Sequence, residues 1–246
     1  MLLAVCMAAC KNHTDAPASE PTPAVQRTEE PQTAVMRLKI AEVHENTLLC
    51  AGVGDKALPG ELYAVSGAYW PYGRTIEAGM TVDVTYNGEV LESYPMELCE
   101  PELIKLVEDG GDLVGMYRRA CSDLYEQDTA LNADITLLAF DLSGAVNLTG
   151  SEKSALIYLV AGEYGLEPLT GTYQELCDSG YIDADELYFH DGLLFTINEV
   201  EEQSETAFTF SIAKWRSGLG ALGMSGCTAE LKDCVWSYAP GGMWIS

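Results

Sequence analysis

The chain has 246 residues, 48% of them hydrophobic, enough to bury one large core or two small ones. Its 13 basic and 38 acidic side chains leave a net charge of −25, a field that repels phosphate backbones and excludes a nucleic-acid partner. No apolar stretch approaches the ~18 residues needed to cross a bilayer, so a spanning helix is not expected.

The first apolar run closes on Met7-Ala8-Ala9-Cys10 and gives way at once to polar residues. Small residues before a cysteine are what a lipoprotein signal peptidase requires, so Cys10 is the expected lipidation site and mature N-terminus. Cys6 is the poorer candidate because branched Val5 precedes it. No Lys or Arg precedes the apolar run, so the true translation start is expected upstream of Met1. A lipid on Cys10, of palmitate type, would make the membrane the first partner, with the acidic remainder repelled outward from an anionic surface. Residues 11–33, rich in Pro, Thr, Glu and Ala, read as a disordered tether spanning roughly 25 Å.

Short strands follow. Residues 35–43 and 47–51 flank a turn at His44-Glu45-Asn46, and residues 61–65 form a third strand. Residues 80–86 alternate, Asn87-Gly88 suits a type I′ turn, and residues 89–94 read as the returning strand, with Asp83 opposite Glu92. Five short strands in about 60 residues suggest an OB-like barrel over 34–98. Within this stretch the Gly-x-x-Val-x-Val-x-Tyr-x-Gly-Glu pattern from Gly79 to Glu89, ending in Glu-Ser-Tyr-Pro95, resembles the YobA-like domain of unknown function. That resemblance covers roughly residues 35–98. It implies an OB-like fold, and export as a lipoprotein on the extracellular face of a Gram-positive cytoplasmic membrane. The family carries no known activity, so it transfers no catalytic residues.

From residue 99 the pattern changes to that of an α+β domain, expected as helices followed by an antiparallel sheet over 99–246. A short helical segment is read at 102–109, then a helix capped by Asp112 with Leu113, Met116, Tyr117, Ala120 and Leu124 on one face. Residues 134–140 look like a central strand. Thr149 with Glu152, and Thr172 with Glu175, spell capping boxes, and Gly165 and Ser179-Gly180 close the two helices they open. Asp191-Gly192 reads as a hairpin turn, and residues 206–215, 224–231 and 235–238 complete a meander. This region resembles C-terminal regions of uncharacterised lipoproteins from gut anaerobes, again with no known activity.

Motifs for chemistry are sparse. Gly218-Leu-Gly-Ala-Leu-Gly223 spells a dinucleotide fingerprint, but no helix and acidic strand follow, so a strand connection is expected and no cofactor. No HExxH or GxSxG occurs, and His13, His44 and His190 are far apart in sequence. Asp178, Asp183, Asp185, Glu186 and Asp191 crowd one stretch, but the EF-hand spacing fails and a solvated loop is expected in place of a metal site. Outside the signal, Cys50, Cys99, Cys121, Cys177, Cys227 and Cys234 lack zinc spacing, and free thiols are favoured over disulfides.

Two places remain for recognition. The 66–79 loop carries Tyr69, Trp70, Tyr72 and Arg74, the usual makings of a binding surface, although Trp70 could equally close one end of the barrel. Lys214-Trp215-Arg216 is a rare basic cluster, which adds Trp215 and Arg216 to the candidate binding residues. The expected function is therefore a lipid-anchored, non-catalytic binding module with a protein or glycan partner at the cell surface. A cell-envelope hydrolase, or an inhibitory or structural lipoprotein acting on a neighbouring protein, is the alternative.

Overall fold

The structure is a computed structural model that describes residues 33–246. The expected lipidation site Cys10 and the tether up to residue 32 lie outside these residues. Short alternating segments build a first seven-stranded sheet. Its strands are β1 (Ala34–His44), β2 (Thr47–Gly52), β3 (Leu62–Ser66), β4 (Thr81–Tyr86), β5 (Val90–Leu91), β6 (Met96–Leu98) and β7 (Leu103–Glu108). Their order is β5-β6-β3-β2-β1-β4-β7. The sheet curls into a half-barrel. Across its open side Tyr69, just past β3, forms a parallel bridge to Leu103 of β7. Alternation explains the curl's interior: Met36, Leu38 and Ile40 of β1 and Val82, Val84 and Tyr86 of β4 are buried in one cluster.

Two expectations fail in this sheet. The Asn87-Gly88 stretch does not join a hairpin, because β4 is already paired on both edges, to β1 and to β7. The returning segment shrinks to β5, which pairs with β6. Asp83 therefore faces no carboxylate; it takes a bidentate pair from Arg37 at 2.8 and 3.0 Å, which holds its carboxyl below the usual range. The 102–109 segment is β7 and not a helix. A helix of about two turns scarcely recovers its nucleation cost, whereas an open edge of β4 offers Leu103-Ile104-Lys105-Leu106 a ladder. The first sheet thus extends past the expected boundary at residue 98.

The remaining chain runs α1 (Leu113–Tyr125), a 3-10 turn (Thr129–Asn132), β8 (Leu137–Asp141), α2 (Gly150–Tyr164), β9 (Glu167–Thr170) and α3 (Tyr173–Asp178). It continues with β10 (Gly192–Ser204), β11 (Ala207–Ser217), β12 (Gly220–Lys232), β13 (Val235–Ala239) and β14 (Gly242–Ile245). The second sheet has the order β13-β12-β11-β10-β8-β9, with β14 also on β12. The molecule is therefore mostly β, with two sheets. The meander β10–β13 is antiparallel as expected, but β8 runs parallel to both β9 and β10. Helices therefore do not simply precede the sheet; α2 and α3 are the crossovers that parallel pairing demands. The residues expected to form a strand before Asp191-Gly192 make only isolated bridges, Asp183 with Tyr188 and Tyr188 with Ser217.

The helices begin and end where their caps dictate. Asp112 accepts from the Gly115 N–H at 2.7 Å, and both capping boxes are closed. Gly165 ends α2 in the left-handed region, φ 64°. Buried faces of α1 and α2 join Phe195, Phe208 and Phe210 of the second sheet in one core, and Ala41, Leu49 and Leu62 of the first sheet enter the same cluster. Polar contacts tie this layer to the first sheet: Lys39 to Glu152 at 2.7 Å and Arg118 to Glu42 at 2.7 Å.

The glycine motif is a hairpin. Ser217 pairs with Gly220, so Gly218-Leu219 forms the tip between β11 and β12. Gly223 lies where the Trp244 ring of β14 crosses β12; an added Cβ would stand 2.6 Å from that ring and 2.7 Å from the Ile212 carbonyl. Gly223→Ala is expected to cost about 1–3 kcal/mol by forcing β14 off the sheet. Thermal unfolding followed with tryptophan fluorescence checks this; an unchanged midpoint would contradict it.

Candidate functional site

The two expected recognition places sit on different sheets and in different packing clusters, and the structure does not bring them together. In the 66–79 loop the Trp70 Nε1–H donates to the Arg74 carbonyl at 2.7 Å, and its ring lies 4.6 Å from that of Tyr72. Tyr72 Oη accepts the Leu106 N–H at 3.2 Å. Arg74 pairs with Asp109 and reaches the Met80 sulfur at 3.7 Å. That guanidinium holds the Asp109 carboxyl below its ordinary range, the hydrogen bond contributing most. Arg74 is thus occupied in fastening the loop to β7. Trp70, in turn, lines a cleft of about 260 Å³ at one end of the curled sheet, together with Leu48, Val65, Ile76 and Ile104. Tyr69, next to Trp70 in the same loop, has 65% of its surface exposed.

The basic cluster on β11 faces inward. Lys214 is 0% exposed and Arg216 is 8% exposed. The Lys214 ammonium meets the carbonyls of Tyr125 at 3.0 Å and Asp128 at 3.3 Å, the Gln127 carbonyl, and Asn132 Oδ1 at 3.0 Å. It therefore caps the carboxyl end of α1, where unpaired carbonyls and the helix dipole favour a cation. Burial pushes this lysine down to about 8, against the pull of Asp128 and Glu126. Arg216 donates to the carbonyls of Leu131, Ala133 and His190, and its guanidinium lies 5.6 Å from the Tyr188 ring centre. Trp215 points to the other face and meets Tyr173 edge-on at 5.1 Å. Neither charge of the cluster is offered to solvent. Alternation along β11 decides this, since residues 208, 210, 212, 214 and 216 share the inward face.

Compared with known proteins, this chain matches no family model, no curated protein and no solved structure.

The acidic stretch does converge partly: Asp183, Glu186 and His190 place ligand atoms within 4.8 Å of one another, all three exposed. Asp183 accepts the N–H groups of Asp185 and Glu186 at 2.9 Å each, so one of its oxygens serves the turn. The six cysteines among the described residues are all free. Burial pushes the Cys50 and Cys121 thiols far up, which makes them inert packing residues.

A second cleft, of about 290 Å³, was not legible in any single motif. It opens at the carboxyl ends of β8 and β9, between Asp141-Leu142-Ser143 and Thr170-Gly171-Thr172, with Lys153, Ser154 and Ile157 of α2 along one side. The signal was present: two capping-box helices alternating with strands denote parallel βα units. What hid it was β9, only four residues long and carrying Pro168, which fits an edge strand and disguises it as a loop.

Proposed function

We propose that this protein is a lipid-anchored, non-catalytic binding module. Lipid on Cys10 would hold it on the extracellular face of the membrane, and the Trp70 cleft would engage a glycan or protein segment at the cell surface. The carrying observation is that cleft: an apolar hollow walled by Trp70 with exposed Tyr69 beside it. The Trp70 indole is locked by its hydrogen bond to the Arg74 carbonyl and by the Tyr72 ring. A ring already fixed loses little entropy when a ligand stacks on it. The finer fold reading also supports recognition at this end. The β3-β2-β1-β4-β7 order, with Tyr69 beyond β3 bridged in parallel to Leu103 of β7, is consistent with an OB-like barrel, whose loops commonly bind ligands, although β3 also pairs with β6. The sequence resemblance to the YobA-like domain agrees with it.

The test is binding of the full chain to cell-wall fragments and oligosaccharides, read by thermal shift. A ligand at a hundred times its dissociation constant adds about 2.7 kcal/mol. Trp70→Ala and Tyr69→Ala should each weaken binding about tenfold or more, as interface aromatics do. The Tyr69 side chain forms no hydrogen bond among the described residues, so its variant should keep the parent's melting temperature. Undiminished binding in both variants would remove this site.

A further inference from the structure

The second cleft sits at a topological switch point. β8 is followed by α2, which packs on the face of the sheet holding Leu138 and Phe140. β9 is followed by α3, whose Leu176 packs on the opposite face with Ala139 and Leu194. Adjacent parallel strands whose helices leave to opposite faces splay their connecting loops apart, and the crevice between them is where open α/β sheets take ligands. The strand order β10-β8-β9 produces that splay here.

The side chains in the crevice are charged but do not neutralise one another. Asp141 uses Oδ1 to accept the Ser143 N–H at 3.1 Å and hydroxyl at 2.6 Å. Glu175 uses Oε2 to accept the Thr172 N–H at 2.8 Å and hydroxyl at 2.9 Å, which keeps its carboxyl below the ordinary range. Each carboxylate is thereby oriented, and its second oxygen has no partner among the described residues. Lys153 lines the same cleft, yet its ammonium pairs with neither carboxylate and with no other described group. Lys153 is half-buried and, among the described residues, lies within ion-pair distance of neither carboxylate, so charges of both signs line the cleft without pairing with each other. Leu142 and Ile157 supply an apolar wall.

We propose that this cleft binds a small zwitterion of amino-acid or dipeptide size. The ligand carboxylate meets Lys153, its ammonium meets the free oxygens of Asp141 and Glu175, and its side chain lies against Leu142 and Ile157. Separated charges of both signs match a ligand carrying both; a simple anion would face two carboxylates, and an apolar molecule would strand all three charges. This site is independent of the Trp70 cleft.

Isothermal titration of the full chain with the free proteinogenic amino acids and alanyl-alanine tests this. N-acetyl-alanine and alanine amide serve as probes lacking one charge. Saturable binding is expected for at least one free zwitterion, with each blocked form weaker by roughly tenfold, the worth of one charge-assisted hydrogen bond. Lys153→Met should erase the preference for acid over amide. Glu175→Gln, which retains the helix cap, should reduce the preference for ammonium over acetyl several-fold, Asp141 supplying the remainder. Absence of binding by every zwitterion would overturn the proposal, as would binding that both variants leave unchanged. Binding lost in Trp70→Ala but kept in Lys153→Met would assign the ligand to the other cleft and overturn it too.

Discussion

Lys214→Met is expected to destabilise the protein by about 3 kcal/mol, since it removes charge-assisted hydrogen bonds to several oxygens at once and leaves the buried ones unsatisfied. The variant leaves the carbonyls of Tyr125, Gln127 and Asp128 and the amide oxygen of Asn132 facing a methyl-tipped thioether that donates no hydrogen bond. Tyr125 and Asn132 are only partly exposed, so their oxygens are left short of donors, whereas Gln127 and Asp128 are exposed and can turn to water. For a unit of this size the melting temperature should fall by about 10 °C. Local opening should appear first in amide exchange over residues 125–133, the turn that Lys214 fastens. A fall of less than about 3 °C would show that the turn is held by its packing alone.

Lys39→Met is expected to cost a similar amount, through a different mechanism. Lys39 reaches from β1 to Glu152 in the first turn of α2, and the Glu152 side chain is 6% exposed. Burial alone would raise the Glu152 pKa; the charge and hydrogen bond of Lys39 and the Thr149 N–H outweigh it, and the net shift is downward. A carboxylate lowered on folding contributes stability that is present above its unfolded value, near 4.3, and lost as pH falls through the folded value. The parent should therefore lose stability below about pH 4.5. Without Lys39 the two largest causes opposing burial are gone and only the Thr149 hydrogen bonds remain, so the folded pKa of Glu152 is expected to rise. Protonation then relieves the variant, so the gap between the two proteins should narrow as pH drops below about 5. Melting curves from pH 3 to 7 check this. A gap constant with pH would mean that the ion pair contributes only packing.

Both residues show why the candidate site was only partly legible. The 66–79 loop stood out because aromatics in a loop are locally conspicuous, and Trp70 does line a cleft. Arg216 stood out as part of a rare basic cluster, yet it faces the interior, and the Leu131 carbonyl it serves lies 85 residues away in the chain, while Trp215 packs on Tyr173 on the other face. The second cleft needed the pairing of β8 with β9 and β10, and no local pattern announces which strands pair.

The sequence by itself determined the elements whose cause is local. Alternation placed β1, β4 and β11; Thr149, Glu152 and Gly165 bounded α2; and Gly218-Leu219 turned a hairpin. Those outcomes depend on neighbours within about four residues, through backbone sterics and first-turn hydrogen bonds. Tertiary structure alone decided that Asn87-Gly88 would not close a hairpin, that residues 103–108 would be a strand, and that α2 and α3 would leave opposite faces of a parallel unit. In each case an unpaired strand edge or a buried face outweighed the local preference. Many hydrogen bonds and several apolar side chains were satisfied together, while turn and helix propensities amount to about 1 kcal/mol or less per residue.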